Sequence, residues 1–345
     1  MPLSREDLKI GVIHITDPLN ETSGYAYAHE VGIREMQREL GLKDYQILRK
    51  VNVYETNQDE VEHAMRECIL AGANIIIATS WGYMNTCEKL AGEYPGVIFA
   101  HASGNRRNDS NFTNYFGRIY QARYLSGIVA GLRTRTNKIG YVAAMGKDNS
   151  EVTGGLNAFA LGVESVNPGA SIHVWMTERW FDPQGEAQSA RALLAAGCDV
   201  IAQHCNTPTP QIEAQRAGRW GVGYNSDMSR DAPNATIVSV MWNWGVYYTH
   251  LVRSVMDGSF TTTPYFGGMA EGMVGLTPFN ETLLPAGAAE AVASASERII
   301  SGEFGVFDGE MRTNDGNVVG KPGTTLPDRD ITEGMNWYYH NIIHP

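Results

Sequence analysis

Four tryptophans fall at or beside the ends of predicted β-strands: Trp81, Trp180, Trp242 and Trp244. Short polar side chains stand with them, Ser80 in Ser80-Trp81-Gly82-Tyr83 and Asn225 and Asp227 in Gly223-Tyr224-Asn225-Ser226-Asp227. Large rings with a few hydrogen-bonding groups can hold a flat, π-rich molecule by stacking while its edge is read. Each residue also has a plainer reading. The rings can plug a seam between domains, and Asp227 can serve a turn or a helix N-terminus. Asp182, before Pro183, reads as a helix start, whereas Glu151 opens a predicted helix and stays a candidate contact.

Bond-making chemistry has no comparable signal. The chain lacks GxGxxG, GxxxxGK[ST], HExxH and GxSxG patterns, and its nine histidines are scattered without metal-ligand spacing. The cysteines, Cys68, Cys87, Cys198 and Cys205, form no CxxC pair. Cys68 and Cys198 lie in apolar stretches and read as buried free thiols. A disulfide does not follow from the spacing. A binding protein without metal or cofactor is therefore expected, not an enzyme.

Composition narrows the partners. At 345 residues the chain can build two domains with substantial cores. Its net charge of −11 argues against nucleic acid, whose binding rests on clustered Lys and Arg. No apolar run approaches the roughly 18 residues that a membrane span needs. Met1 to Ile10 holds no signal-peptide core. The chain is then either cytoplasmic or a mature form whose export signal has been replaced.

The elements that must position these residues alternate strand and helix. Strands are expected at 9–16, at 46–53, from Ile75 until the run breaks at Ser80, and at 97–100, with helices at 23–40, 58–71, 85–94 and 120–133 between and after them. The pattern restarts with strands at 138–143, 171–176, 200–203, 221–223 and 236–240 and helices at 151–166 and 185–196. A helix through Met256, a strand at 273–276, a helix at 286–302 and an irregular tail follow. Such alternation with short connections favours parallel, doubly wound sheets. An internal echo supports two similar lobes. Leu70-Ala71-Gly72-Ala73-Asn74-Ile75-Ile76 matches Ala195-Ala196-Gly197-Cys198-Asp199-Val200-Ile201 in type, each a helix end, a Gly cap and a buried strand.

Over nearly its whole length the chain resembles the basic membrane protein family of bacterial ABC-transporter substrate-binding lipoproteins, whose best-known members bind purine nucleosides. The carriers are Ala73 to Tyr83, Arg133 to Tyr141, Gly155 to Phe159, Trp180 to Pro183, Gly223 to Asp227 and Asn336 to Tyr338. The resemblance implies a type I periplasmic-binding-protein fold. Its two α/β lobes would be residues 1–134 plus about 244–272, and 135–243 plus about 273–345, joined by a three-stranded hinge and closing on a ligand in the cleft between them. It implies an extracytoplasmic monomer, periplasmic or membrane-anchored, that serves an inner-membrane ABC permease. It also places a stacking ring at Tyr25 and another at Trp180, and it puts the family's aspartate motif on Asn225 and Asp227.

Two departures bear on the ligand. An Asp that follows the fourth strand in nucleoside binders falls near Ser103, and the Lys that helps hold the ribose falls on Trp242. An indole in place of an ammonium removes hydrogen-bond donors and fills volume. The expected ligand is therefore a purine-type nucleobase, adenine-like, bound by Tyr25, Ser80, Trp81, Trp180, Asn225, Asp227, Trp242 and Trp244. The alternative is a purine nucleoside or another small solute, with the protein as carrier or sensor.

Overall fold

Short β-branched runs form the strands and longer amphipathic stretches the helices. In the computed structural model, which describes residues 3–344, the chain starts with β1 (Ile10–Ile13), α1 (Tyr25–Leu40), β2 (Ile47–Lys50), α2 (Gln58–Leu70) and β3 (Ile75–Ala78). Next come α3 (Met84–Glu93), β4 (Ile98–Ala102), β5 (Phe112–Gly117), α4 (Ile119–Arg133), β6 (Lys138–Ala143), α5 (Ser150–Val166) and β7 (Ser171–Met176). They lead to α6 (Pro183–Ala195), β8 (Val200–His204), α7 (Thr209–Arg216), β9 (Trp220–Asn225), β10 (Thr236–Trp242) and α8 (Trp244–Asp257). Last are β11 (Tyr265–Gly267), β12 (Val274–Leu276), α9 (Ala288–Ile300), β13 (Asp308–Arg312), β14 (Val318–Thr325), α10 (Asp328–Thr332) and β15 (Ile342–Ile343).

The chain divides into two compact units. The first holds the chain up to Glu21 with Ala26–Gly117 and Asn243–Gly267, and the second holds Thr22–Tyr25, Arg118–Trp242 and the chain from Gly268 onward. The first division falls before α4, not at residue 134, because α4 lies along α5 and shares its core. Gly127 and Gly162 let the two helix backbones approach so closely that a Cβ on either would run into the other's carbonyl groups.

In the first unit the sheet order is β11-β5-β4-β3-β1-β2, with every pairing parallel. The second unit's sheet runs β12-β10-β9-β8-β6-β7-β15, parallel throughout except for β12 against β10. β1 therefore sits between β2 and β3 as β6 sits between β7 and β8. The internal echo maps onto this equivalence. Gly72 and Gly197 end α2 and α6 with φ of 93° and 92°, a region that favours glycine. Lys9 donates Nζ to the Ala71 carbonyl at 2.9 Å, and Lys138 donates to that of Ala196 at 3.4 Å. The tail is more regular than expected. β13 and β14 form an antiparallel hairpin, and β15 adds to the edge of β7.

Candidate functional site

In open parallel sheets, ligands sit beyond the carboxyl ends of the strands, near the point where the strand order reverses. In the second unit that edge is formed by the ends of β6, β8, β9 and β10, together with the start of α5. Asn149 caps α5, its Oδ1 accepting the Val152 N–H at 3.1 Å, so Glu151 falls in the first turn. Glu151 Oε1 accepts from the Tyr224 hydroxyl at 3.0 Å and lies 3.4 Å from His204 Nε2. The Tyr224 oxygen in turn accepts from the Trp242 indole N–H at 3.3 Å. His204 fits here because α5 carries Gly155, where a Cβ would come within 2.8 Å of the imidazole.

Beneath this chain of bonds lies Arg123 of α4, fully buried. Its guanidinium stacks 3.9 Å from the Tyr224 ring centre and donates Nη1 to the Gln203 carbonyl at 2.6 Å, while Nε and Nη2 find no hydrogen-bond partner among the described residues. A buried charge with open donors is costly unless something compensates it. Burial dominates the acid–base state of the cluster. It pushes the Glu151 carboxyl up to about 7, outweighing the Tyr224 bond and the attraction of Arg123. Burial, then the Arg123 charge, holds His204 well below the usual imidazole range, so the ring is neutral. Tyr224 is pushed far up by burial and by Glu151, so its hydroxyl stays a donor.

The structure places three of the expected residues around this cluster. Trp180 is half-buried, edge-on to His204 at 5.9 Å between ring centres. Trp242 ends β10 and is buried, committed to Tyr224. Asn225 ends β9 at a φ of 69°; its Nδ2 bonds the Cys205 carbonyl at 3.3 Å, and its buried Oδ1 has no partner. Tyr25 begins α1 in the short segment that clusters with this unit. The preceding Gly24 donates its N–H to Ser226 Oγ at 2.9 Å. Asp227 takes the plainer role. It is exposed, accepts the Ser229 N–H at 2.8 Å in a turn, and lines a separate cavity of about 290 Å³ with Thr236, Thr277 and Phe279.

The other three expected residues lie in the first unit. The Ser80 hydroxyl is committed to Glu55, which also holds the Gly82 N–H at 3.0 Å, and the Ser80 carbonyl meets His101 Nε2 at 2.7 Å. Trp81 occupies the short turn after β3 with 54 % of its surface open. Trp244 is a core ring. It is wholly buried, stacked on His29 at 4.3 Å and edge-on to Tyr115 at 5.7 Å. Sequence reasoning missed Arg123, His204 and Tyr224. The histidine and tyrosine at strand ends were visible signals, but nothing in a linear reading joins residues from four elements.

Comparison with known proteins agrees with this architecture. A family profile described as PnrA-like ABC transporter substrate-binding protein matches residues 10–310. A purine-binding protein of Brucella abortus is 34% identical over 277 residues, 80% of this chain and 77% of its own. A putative ABC transporter glucose-binding protein of Haloferax volcanii is also 34% identical, over 250 residues, 72% of this chain and 62% of its own. Among solved structures, an ABC transporter solute-binding protein of Conexibacter woesei superposes with a TM-score of 0.72 at 19% identity, covering 86% of this chain and 98% of that one. The fold is thus that of the type I periplasmic binding proteins.

Proposed function

We propose that this chain, which belongs to the PnrA-like family of ABC transporter substrate-binding proteins, captures a purine-type nucleobase and delivers it to its permease. Proteins of this family act outside the cytoplasm as binding components, not enzymes. The observation that carries the nucleobase reading is Trp242. By the family resemblance it falls where nucleoside binders hold a ribose-binding lysine, and its indole N–H donates to Tyr224. A buried indole so committed offers a sugar hydroxyl no donor and is bulkier than the lysine it replaces.

Three further features support the reading. The half-buried Trp180 offers a ring for stacking, worth about 1–3 kcal/mol per base by analogy with single-strand binders. The unpartnered Asn225 Oδ1 suits a ring or exocyclic N–H, and the Brucella relative bears the name of a purine-binding protein. Stacking with a few edge hydrogen bonds reaches about −8 kcal/mol, a micromolar affinity, after association costs. Titration calorimetry with adenine, hypoxanthine, adenosine and glucose tests it. Adenine is expected to bind near micromolar and more tightly than adenosine. Heat from adenosine or glucose with none from a free base would overturn it.

A further inference from the structure

The Glu151 carboxyl is the one group of the second unit's cluster with two oxygens in different situations. Oε1 is surrounded by donors, the Tyr224 hydroxyl at 3.0 Å from β9 and His204 Nε2 at 3.4 Å from β8. His204 Nδ1 meets the Tyr141 hydroxyl of β6 at 3.1 Å. The neutral tautomer with its N–H on Nε2 lets Tyr141 donate to Nδ1 and aims that N–H at Glu151, and binding as proposed below takes this tautomer. Oε1 therefore acts as a carbonyl-type acceptor. Oε2 takes part in none of these bonds, and the side chain keeps 23% of its surface open. A second observation lies at the carboxyl end of the same strand, where Asn225, held by the Cys205 carbonyl, has a buried Oδ1 without a hydrogen-bond partner among the described residues.

We propose that Glu151 binds the ligand in its protonated form, Oε1 accepting from Tyr224 and His204 while Oε2 donates its proton to a lone-pair nitrogen of the ligand ring, so that the protein takes up a proton with its ligand. The inference rests on the purine reading above, because purines carry such imino nitrogens and sugars do not. Asn225 then accepts from an N–H of the same heterocycle, so the pair recognises a ring that offers both an acceptor and a donor.

The surroundings favour the acid. The charged and titratable groups that face Glu151 are Tyr224 of β9, His204 of β8, Tyr141 of β6 and Arg123 of α4. Only Arg123 is a cation, and its guanidinium lies against the Tyr224 ring. The start of α5 also favours a carboxylate. Burial prevails over both, holding the free protein's Glu151 near 7. A ligand that needs the acid raises that value further. Binding is then strongest below about pH 7, and it weakens by up to roughly tenfold per pH unit above it.

The test is calorimetric titration of adenine into the wild-type protein between about pH 5.5 and about pH 8.5, in buffers of differing ionisation enthalpy, with Glu151→Gln alongside. Adenine affinity is expected to fall at alkaline pH with net proton uptake. Deaza-adenines, in which one ring nitrogen becomes C–H, should include one that loses binding at acid pH. The glutamine amide keeps a donor beside an acceptor without titrating, so Glu151→Gln should bind adenine with a flattened profile. Glu186, a second carboxyl pushed up to about 7 by burial and held by Thr207, is intact in that variant; a surviving pH dependence there would overturn the proposal. So would adenine binding by the wild type near about pH 8 with no proton uptake, a measurement that does not depend on the variant folding. Absence of binding by any purine at any pH would overturn the purine reading itself.

Discussion

Two glycine-to-alanine substitutions should move stability in opposite directions. Gly162 of α5 faces α4, and a Cβ there would lie 2.9 Å from the Tyr124 carbonyl carbon, with the carbonyl oxygen closer still. Ordinary contact starts near 3.4 Å, and the obstacle is helix backbone, which cannot swing aside. α4 and α5 must separate, loosening a core that includes Leu125, Ile128, Leu156 and Phe159. Alanine favours a helix over glycine by about 1 kcal/mol, whereas overpacking costs about 1–3 kcal/mol and more where backbone must move. The net expectation for Gly162→Ala, at the upper end of that cost because backbone is the obstacle, is a loss of about 2 kcal/mol or more. Gly92 is exposed in α3, and a Cβ there would meet no atom of the described residues within 4 Å, so Gly92→Ala should gain up to about 1 kcal/mol.

Urea unfolding measures both. Trp175, Trp180, Trp220, Trp242 and Trp337 all belong to the second unit, so fluorescence weights the transition that Gly162 affects. Far-ultraviolet circular dichroism follows the helices of both units and shows whether they unfold separately. With a slope of about 1–3 kcal/mol per molar urea, Gly162→Ala should lower the midpoint by about 1 M or more. A midpoint at or above wild type for Gly162→Ala would refute the close approach of α4 and α5.

Glu30, 2% exposed on α1, is pushed up by burial but drawn down further by His14 and by Arg49 at 2.9 Å, to about 2. Its contribution, on the order of 3 kcal/mol, is present above about pH 5 and lost as pH falls towards about 2; Glu30→Gln should remove that dependence from urea midpoints taken across the range. Glu151 has the opposite sign, since its carboxyl stands above the usual range in the folded protein. Wild type and Glu151→Gln should match in stability near pH 4 and diverge by about 2–3 kcal/mol near pH 8, the wild type being the weaker, and parallel curves would contradict its burial. Asp231 accepts from Thr22 at 2.5 Å and from Ser23 at 2.8 Å, bonds worth about 1 kcal/mol each. Asp231→Ala should therefore speed amide exchange across residues 22–25, and unchanged exchange would show that Gly24 and Ser226 hold the segment alone.

Most of the architecture was legible because periodicity and punctuation agreed. The isoleucines of β3 could only be a strand buried on both faces, and Gly72 and Gly197 marked helix ends in both halves. What escaped was structure that pattern does not encode. Short edge strands such as β11 and β15 carry too few residues to show alternation, and the β13–β14 hairpin is so exposed that its apolar positions do not repeat. At the site, aromatic type at a strand end marked Trp180 and Trp242 but also Trp244, which braces α1 against α8 inside the first unit's core. Gly32 shows why, since a Cβ there would meet Trp244 and the Gly245 backbone. Trp242 and Trp244 are both buried, and what separates them is their neighbours, Tyr224 for the one and His29 with Tyr115 for the other.

The residues that make the family recognisable serve mainly the scaffold. Asp199 accepts from Thr134 at 2.6 Å and from the Arg135 N–H at 2.7 Å, and Arg133 stacks on Trp220 at 3.7 Å, all at the amino end of the second sheet. Asn157 donates to the Trp337 carbonyl at 2.8 Å and accepts the Tyr339 N–H at 2.9 Å, pinning the tail to α5. Side chains committed in this way cannot also discriminate ligands. Relatives of equal identity can then bear the names of purine-binding and glucose-binding proteins while keeping one frame. Selectivity must reside in the few groups left at the carboxyl edge. On the reading proposed here, exchanging Trp242 for lysine and Glu151 for alanine should shift preference from a free base towards a nucleoside without changing the fold. Competition between adenine and adenosine measures that shift. An unchanged ratio in a folded double variant would place the selectivity elsewhere.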